Sequence, residues 1–384
     1  MKQTQQQFPA AAWQLSLNNS LGLYIHVPFC ESKCAYCDFY SYKADDITYN
    51  NYTDTICRHI KLAGQELNKH ADTLYFGGGT PSLLGGKRIA EIITACKQGF
   101  GLENAEITVE ANPADNLANE LKTMADACVT RLSLGVQSGI DNELKSLSRR
   151  HTNLDVIRTV SDAKNAGIHN ISLDLMLGIP KQTLTSIKES LDFLISLNPT
   201  HISCYMLKIE PNTAFGRTDL SELGLPDEDT VADMYLYTSD YLAHNGFEHY
   251  EISNFAKDGF KSRHNTKYWL CEEYLGLGPS AHSYLNGKRF RFDRDIKQYL
   301  SCPTVIDDGL GGDFEEYVML GLRLKDGVNF REITRLFDKE KAEKLKSNAA
   351  KLKDSGLINL TDEYLSLTIK GFLVSNSVIT ELIF

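Results

Sequence analysis

Tyr24-Ile-His-Val-Pro-Phe-Cys30-Glu-Ser-Lys-Cys34-Ala-Tyr-Cys37-Asp-Phe39 places three thiols within eight residues, directly after a short apolar strand and a proline. Soft sulfur ligands this close together can fold around a single metal centre. They cannot saturate a cubic four-iron cluster, which has four irons to cap, so one iron would stay open to an external ligand. A zinc knuckle is the structural alternative, but zinc sites ordinarily pair Cys as C-x2-C with a second pair downstream. Here the spacing is C-x3-C-x2-C, and no companion pair exists.

Working outward, the run sits at the start of a repeating pattern. Between residues 21 and about 206, short β-rich segments alternate with amphipathic helices. Strands are predicted at Leu23–Val27, Thr73–Phe76, Glu106–Val109, Arg131–Leu134, Asn170–Leu175 and His201–Leu207. Ile187, Leu191, Leu194 and Ile195 share one helical face between the last two, and Val156, Ile157, Val160 and Ala163 do the same one unit earlier. Strands linked by helical crossovers imply a parallel sheet. Curled, six such units make three-quarters of a (β/α)8 barrel, a partial (β/α)6 TIM-like fold occupying residues 21–225. Its ligand site is expected at the C-terminal ends of the strands.

Composition narrows the class. The chain has 384 residues, 42% hydrophobic and 23% charged, the balance of an ordinary globular protein. A net charge of -10 argues against DNA or anionic-membrane binding. No apolar run reaches the ~18 residues of a spanning helix. Residues 1–20 are Gln-rich without a basic n-region or clear apolar stretch, so they read as a disordered polar leader rather than a signal peptide. The expected compartment is the cytoplasm. Six further cysteines (Cys57, Cys96, Cys128, Cys204, Cys271 and Cys302) are scattered singly and read as small buried hydrophobes. In a reducing cytoplasm the clustered three favour metal over disulfide.

Beyond Pro211 the rhythm changes. A long helix is predicted from near Pro226 to His244, opening an accessory region at 226–304. Asp307-Asp-Gly-Leu-Gly-Gly-Asp313 reads as a linker. Residues 305–384 then show three helical patterns ending in Gly356–Leu360 and Leu365–Thr368, a winged-helix-like arrangement. This segment carries 11 Lys/Arg against 14 Asp/Glu. That balance suits packing or a protein partner better than DNA.

Phe76-Gly77-Gly78-Gly79-Thr80-Pro81 closes the second strand, and its glycines expose backbone groups to a ligand. Glu110, Gln137 and Asp174 stand at further strand ends, where they share one rim. Arg149 offers a planar fork for a carboxylate.

The cysteine spacing, with Tyr36 immediately before the last thiol, resembles the signature of radical S-adenosylmethionine (SAM) enzymes. With Gly77–Pro81, Val109-Glu-Ala-Asn-Pro113, Leu132-Ser-Leu-Gly-Val-Gln137 and Asp174-Leu-Met-Leu-Gly-Ile-Pro180, the chain from residue 21 onward resembles the oxygen-independent coproporphyrinogen III oxidase-like family. The resemblance implies a 4Fe-4S cluster on Cys30, Cys34 and Cys37. It implies SAM contacts at Tyr24, Gly79, Thr80, Glu110, Gln137, Arg149, Asp174 and, by backbone, Lys208.

Two branches of that family differ in task. The oxidase, a radical decarboxylase of porphyrin biosynthesis, extends its motif to a fourth Cys two residues after the third, where this chain has Phe39. Phe39 matches the HemW-type haem-chaperone pattern. So do Arg263-His264-Asn-Thr-Lys-Tyr-Trp269, which resembles that branch's H-N-x-x-Y-W motif, and Gly276-Leu-Gly-Pro-Ser-Ala-His-Ser283. A His beside aromatic residues suits an axial haem ligand. His264 is therefore the expected haem ligand, with His282 the weaker candidate and His26 a support for the cysteine loop. A partly buried His bonded to backbone is the alternative for His264. The implied partners are haem, haem-acceptor proteins of respiratory type and a reductant for the cluster, with no nucleic acid. Peripheral membrane contact and a homodimer stay open. The twenty-residue leader is longer than HemW-type chains usually carry, which keeps the oxidase as the alternative.

Overall fold

A computed structural model of the chain describes residues 20–113 and 117–384. The leader, apart from Ser20, lies outside the described residues.

Six runs rich in Leu, Ile and Val become strands: β1 (Leu21–Val27), β2 (Ala71–Gly78), β3 (Glu106–Ala111), β4 (Arg131–Gln137), β5 (Asn170–Leu177) and β6 (His201–Met206). They pair in sequence order, all parallel. Helices make the crossovers, among them Asp46–Leu67, Gly85–Phe100, Asn153–Asn165 and Leu184–Ser196. Their starts are written locally. The Asp45 carboxylate accepts from the Thr48 N–H, and Thr183 and Ser186 form a reciprocal cap. Of the predicted apolar face, Val156, Val160 and Ala163 are buried while Ile157 is 44% exposed. Three residues at helical spacing suffice to seat that helix on the sheet.

The parallel set is not the whole sheet. It continues through β7 (Glu248–Glu251), β8 (Asn254–Ala256), β9 (Tyr274–Leu277), β10 (His282–Leu285), β11 (Lys288–Phe292) and β12 (Val305–Leu310). The order is β12-β11-β10-β9-β1-β2-β3-β4-β5-β6-β8-β7. β9 joins β1 in parallel, and β10 to β12 follow antiparallel. The accessory region thus extends both edges of the barrel sheet. Residues 307–310, expected to begin a linker, instead complete β12. Backbone pairing with β11 overrides a Gly/Asp composition that locally favours turns.

The long helix runs Glu228–His244, capped by Asp227. The C-terminal part has helices Phe314–Gly321, Phe330–Leu336 and Lys339–Leu352, then a small sheet of β13 (Val328–Asn329), β14 (Ile358–Leu360) and β15 (Tyr364–Leu367). Two further helices, Ile369–Leu373 and Ser375–Ile383, follow the ribbon where the sequence reading ended. This part is tied to the barrel at β7: Ile252 N–H donates to Arg323 O at 2.9 Å and Lys325 N–H to Tyr250 O at 3.0 Å. No helix among the described residues is long and apolar enough to cross a membrane.

Candidate functional site at the barrel mouth

The cysteine loop leaves the end of β1 and is pinned at both ends. Cys30 N–H donates to Tyr42 O at 3.1 Å, and Tyr42 N–H returns to Pro28 O at 3.0 Å. Its tip is held by a small apolar cluster in which Tyr36 packs with Leu147, Met176, Ile179 and Phe215. This explains the aromatic residue beside Cys37: it anchors the loop while the thiols stay partly open. No group of three or more His, Cys, Asp or Glu side chains among the described residues is gathered as for one metal ion. A cubane asks for something different, one thiolate at each of three corners rather than convergence on a point.

The glycine run of β2 lies against this loop. Thr80 N–H donates to Phe29 O at 2.7 Å and Gly79 N–H to Val27 O at 2.8 Å. A side chain at Gly79 would meet the Phe29 carbonyl oxygen at 2.5 Å, so only glycine permits the approach. Thr80 Oγ1 stands 3.5 Å from Cys30 Sγ and accepts from Asn112 Nδ2 at 2.9 Å. Arg149 Nη2 donates to Asn112 Oδ1 at 2.7 Å, and its Nη1 lies 3.5 Å from Cys34 Sγ. Asn112 thus joins Thr80 to Arg149, a role that the sequence pattern Val109–Pro113 does not reveal.

Deeper in the barrel, Tyr75 donates to Glu110 Oε1 at 2.8 Å. Burial, with the nearby Asp174 charge, pushes the Glu110 carboxyl up to about 7. Burial pushes Asp174 up to about 6, opposed by hydroxyls of Ser203 and Ser133 and by Arg131 and Arg149. Two carboxyls poised near neutrality can hold or release a proton or face an ammonium group. Gln137 is buried at φ 73, past a register shift in β4 that aims its side chain inward.

These groups share one cavity of about 1020 Å³. Its lining includes Tyr24, Cys30, Cys34, Cys37, Gly79, Thr80, Glu110, Gln137, Arg149, Asp174 and Lys208. All three sequence-predicted thiols and all eight predicted SAM contacts therefore meet. His26 is also there, its Nδ1 3.1 Å from the Tyr24 hydroxyl and its Nε2 3.4 Å from Tyr40 O on the cysteine loop.

His264 does not join them. It lies on the helix Arg263–Trp269, 1% exposed. Its Nδ1 is 2.8 Å from Thr73 Oγ1 and its Nε2 2.7 Å from the Tyr268 hydroxyl, while its ring stacks on Tyr75. Burial pushes its pKa down to about 3. An axial ligand needs a lone pair facing the ligand, and here both nitrogens are engaged. The expectation of His264 as haem ligand is not met by this geometry. The buried alternative describes it, with side-chain rather than backbone partners.

Comparison with known proteins fits this geometry. Residues 24–194 match the Radical SAM superfamily model and residues 313–374 the HemN C-terminal domain. The superfamily implies a 4Fe-4S cluster and SAM. The solved structure of coproporphyrinogen III oxidase (HemN) from Escherichia coli, described as a radical SAM enzyme, superposes with a TM-score of 0.82. It covers 95% of this chain and 90% of its own, at 22% identity, a likeness of fold. Among curated proteins, heme chaperone HemW of Lactococcus lactis is 36% identical over 363 residues, spanning 92% of this chain and 95% of its own length. Heme chaperone HemW of Bacillus subtilis is 33% identical over 369 residues, spanning 92% and 97%. At that identity over nearly the full length of both, the chain belongs to the HemW family within the radical SAM superfamily.

Proposed function

We propose that this chain is a haem chaperone: it holds a 4Fe-4S cluster and SAM at the barrel mouth, binds haem there and delivers it to acceptor proteins. The observation that carries the reading is the full-length match to proteins named heme chaperone. Phe39, at the position where the oxidase branch has its fourth Cys, agrees with it.

In this reading Cys30, Cys34 and Cys37 hold the cluster, whose chemistry is one-electron transfer to the bound sulfonium. Thr80 flanks Cys30 and Arg149 flanks Cys34. Gly79, Glu110, Gln137 and Asp174, with Tyr24, Arg149 and the Lys208 backbone, surround SAM. The Gly77–Gly79 backbone would face its amino group, Arg149 its carboxylate, and Glu110 and Asp174 would offer carboxyl groups to its polar atoms. The cavity is large enough to leave room beyond SAM, and its apolar rim includes Phe39, 65% exposed, and Met206, 38% exposed. The exposed rim supplies contact for a flat macrocycle and a route to an acceptor. A reductant for the cluster, respiratory acceptors, a homodimer and peripheral membrane contact belong to the same proposal.

The test is haem titration of the anaerobically reconstituted protein, followed by mixing with an apo b-type cytochrome, beside a coproporphyrinogen decarboxylation assay. Haem uptake and transfer without CO2 release are expected. CO2 release with no haem uptake would replace this reading with the oxidase.

A further inference from the structure

The cavity has a second wall, built by the sheet extension. Tyr274 on β9 lines it with Tyr268 and Tyr24, and the Tyr268 and Tyr274 rings pack edge-on with centroids 4.5 Å apart. On the neighbouring strands His282 pairs with Arg291, and Tyr284 with Arg289. The Arg289 guanidinium lies 4.8 Å from the Tyr284 ring centroid and donates to the Tyr274 hydroxyl at 3.2 Å. Arg294, just past β11, also lines the cavity and donates to Asp38 O of the cysteine loop at 2.8 Å. This wall therefore offers an aromatic floor with two arginines at its margin, Arg289, whose Nε and Nη2 pair with Glu316, and Arg294.

One imidazole stands in this wall with a nitrogen to offer. The His282 side chain is 61% exposed and lines the cavity. Its Nδ1 lies 3.7 Å from Asp308 Oδ2, and Asp308 is itself paired with Arg291. Its Nε2 has no hydrogen bond among the described residues. A carboxylate facing one ring nitrogen, with the other open, is the arrangement that orients and strengthens a metal-ligating histidine. Burial and the adjacent arginines lower its pKa, with Asp308 opposing them, so the lone pair is available at neutral pH.

We infer that His282 Nε2 takes the haem iron, with Asp308 as its supporting carboxylate, the macrocycle against the β9–β11 wall and the haem carboxylates on the Arg289 and Arg294 side. This rests on the haem reading above. It sets a macrocycle with two carboxylates on the sheet extension and leaves the barrel side to SAM.

Titration of the reconstituted protein with haemin, followed by absorbance and low-temperature electron paramagnetic resonance, tests it. Wild type should show an imidazole-ligated ferric haem. His282→Ala should lose that signature and bind at least about tenfold more weakly, and Asp308→Asn should lose affinity on the order of 10-fold. His244→Ala, at an exposed imidazole outside the cavity lining, should keep the wild-type spectrum. A wild type that takes no haem overturns the haem reading and this assignment together. A wild type that binds and a His282→Ala protein with unchanged spectrum and affinity overturn the assignment alone. Because the His282 side chain is mostly exposed, that variant keeps its fold, which far-ultraviolet circular dichroism checks.

Discussion

The helix Arg263–Trp269 and the start of β10 each carry a histidine from a motif that resembles the HemW branch, and the fold uses them oppositely. His264 points into the barrel. It is locked between Thr73 and Tyr268, and Glu106 Oε1 accepts from its backbone N–H at 3.1 Å. It belongs to a polar interior in which His201 is similarly held between Ser172 and Tyr250. His282 points to the cavity with one distant carboxylate. The lesson is that a motif histidine can be a structural cross-link as readily as a ligand. What decides is whether its second nitrogen is already occupied.

That contrast breaks most visibly with His264→Ala. Removing a buried imidazole strands the Thr73 and Tyr268 hydroxyls, so unfolding free energy should fall by about 2–4 kcal/mol. His282→Ala, at an exposed site, should stay within about 0.5 kcal/mol. Denaturant melts of the two variants side by side give the answer. Equal losses would mean the two regions do not differ as described.

Glu251 sharpens the inward half. It is fully buried beside Trp269, and among the described residues neither its Oε2 nor the indole N–H has a hydrogen-bond partner. Burial above all raises its pKa from 4.5 to about 7. A raised carboxyl pKa means the fold prefers the neutral acid, so stability is full below pH 4.5 and declines as pH rises through about 7. Gln cannot ionise. Between pH 5 and 8, Glu251→Gln should therefore lose less stability than wild type, by about 1–3 kcal/mol. Parallel pH slopes for the two proteins would contradict this.

A smaller loss than that of His264→Ala is expected from Tyr268→Phe, which deletes only the hydroxyl on His264 Nε2. A loss of about 1 kcal/mol is expected, read as a modest drop in melting midpoint. No change would show that the hydroxyl is not a significant restraint on the ring.

Much of the molecule was legible because it is local. The three thiols, the Gly77–Gly79 turn and the strand-end residues Glu110, Gln137 and Asp174 stand in short motifs, and a parallel barrel brings strand ends together whatever the helices contain. Asn112 was missed because an amide in a loop has no pattern of its own until Thr80 and Arg149 flank it. Residues 307–310 were misread because Gly and Asp favour turns locally, and only the β11 edge makes them a strand.

By itself, then, the sequence determined the barrel, the cysteine loop and the rim of polar strand-end residues. Each follows from side-chain periodicity or from ligands within a few residues of one another. Only the tertiary structure decided which histidine faces the cavity. β9 joins β1 across more than two hundred residues of chain, on the order of the whole barrel. That pairing turns Tyr268 and Tyr274 inward, encloses His264 and leaves His282 at the rim. Orientation across so long a separation is set by backbone hydrogen bonds between distant strands, which no local spacing encodes.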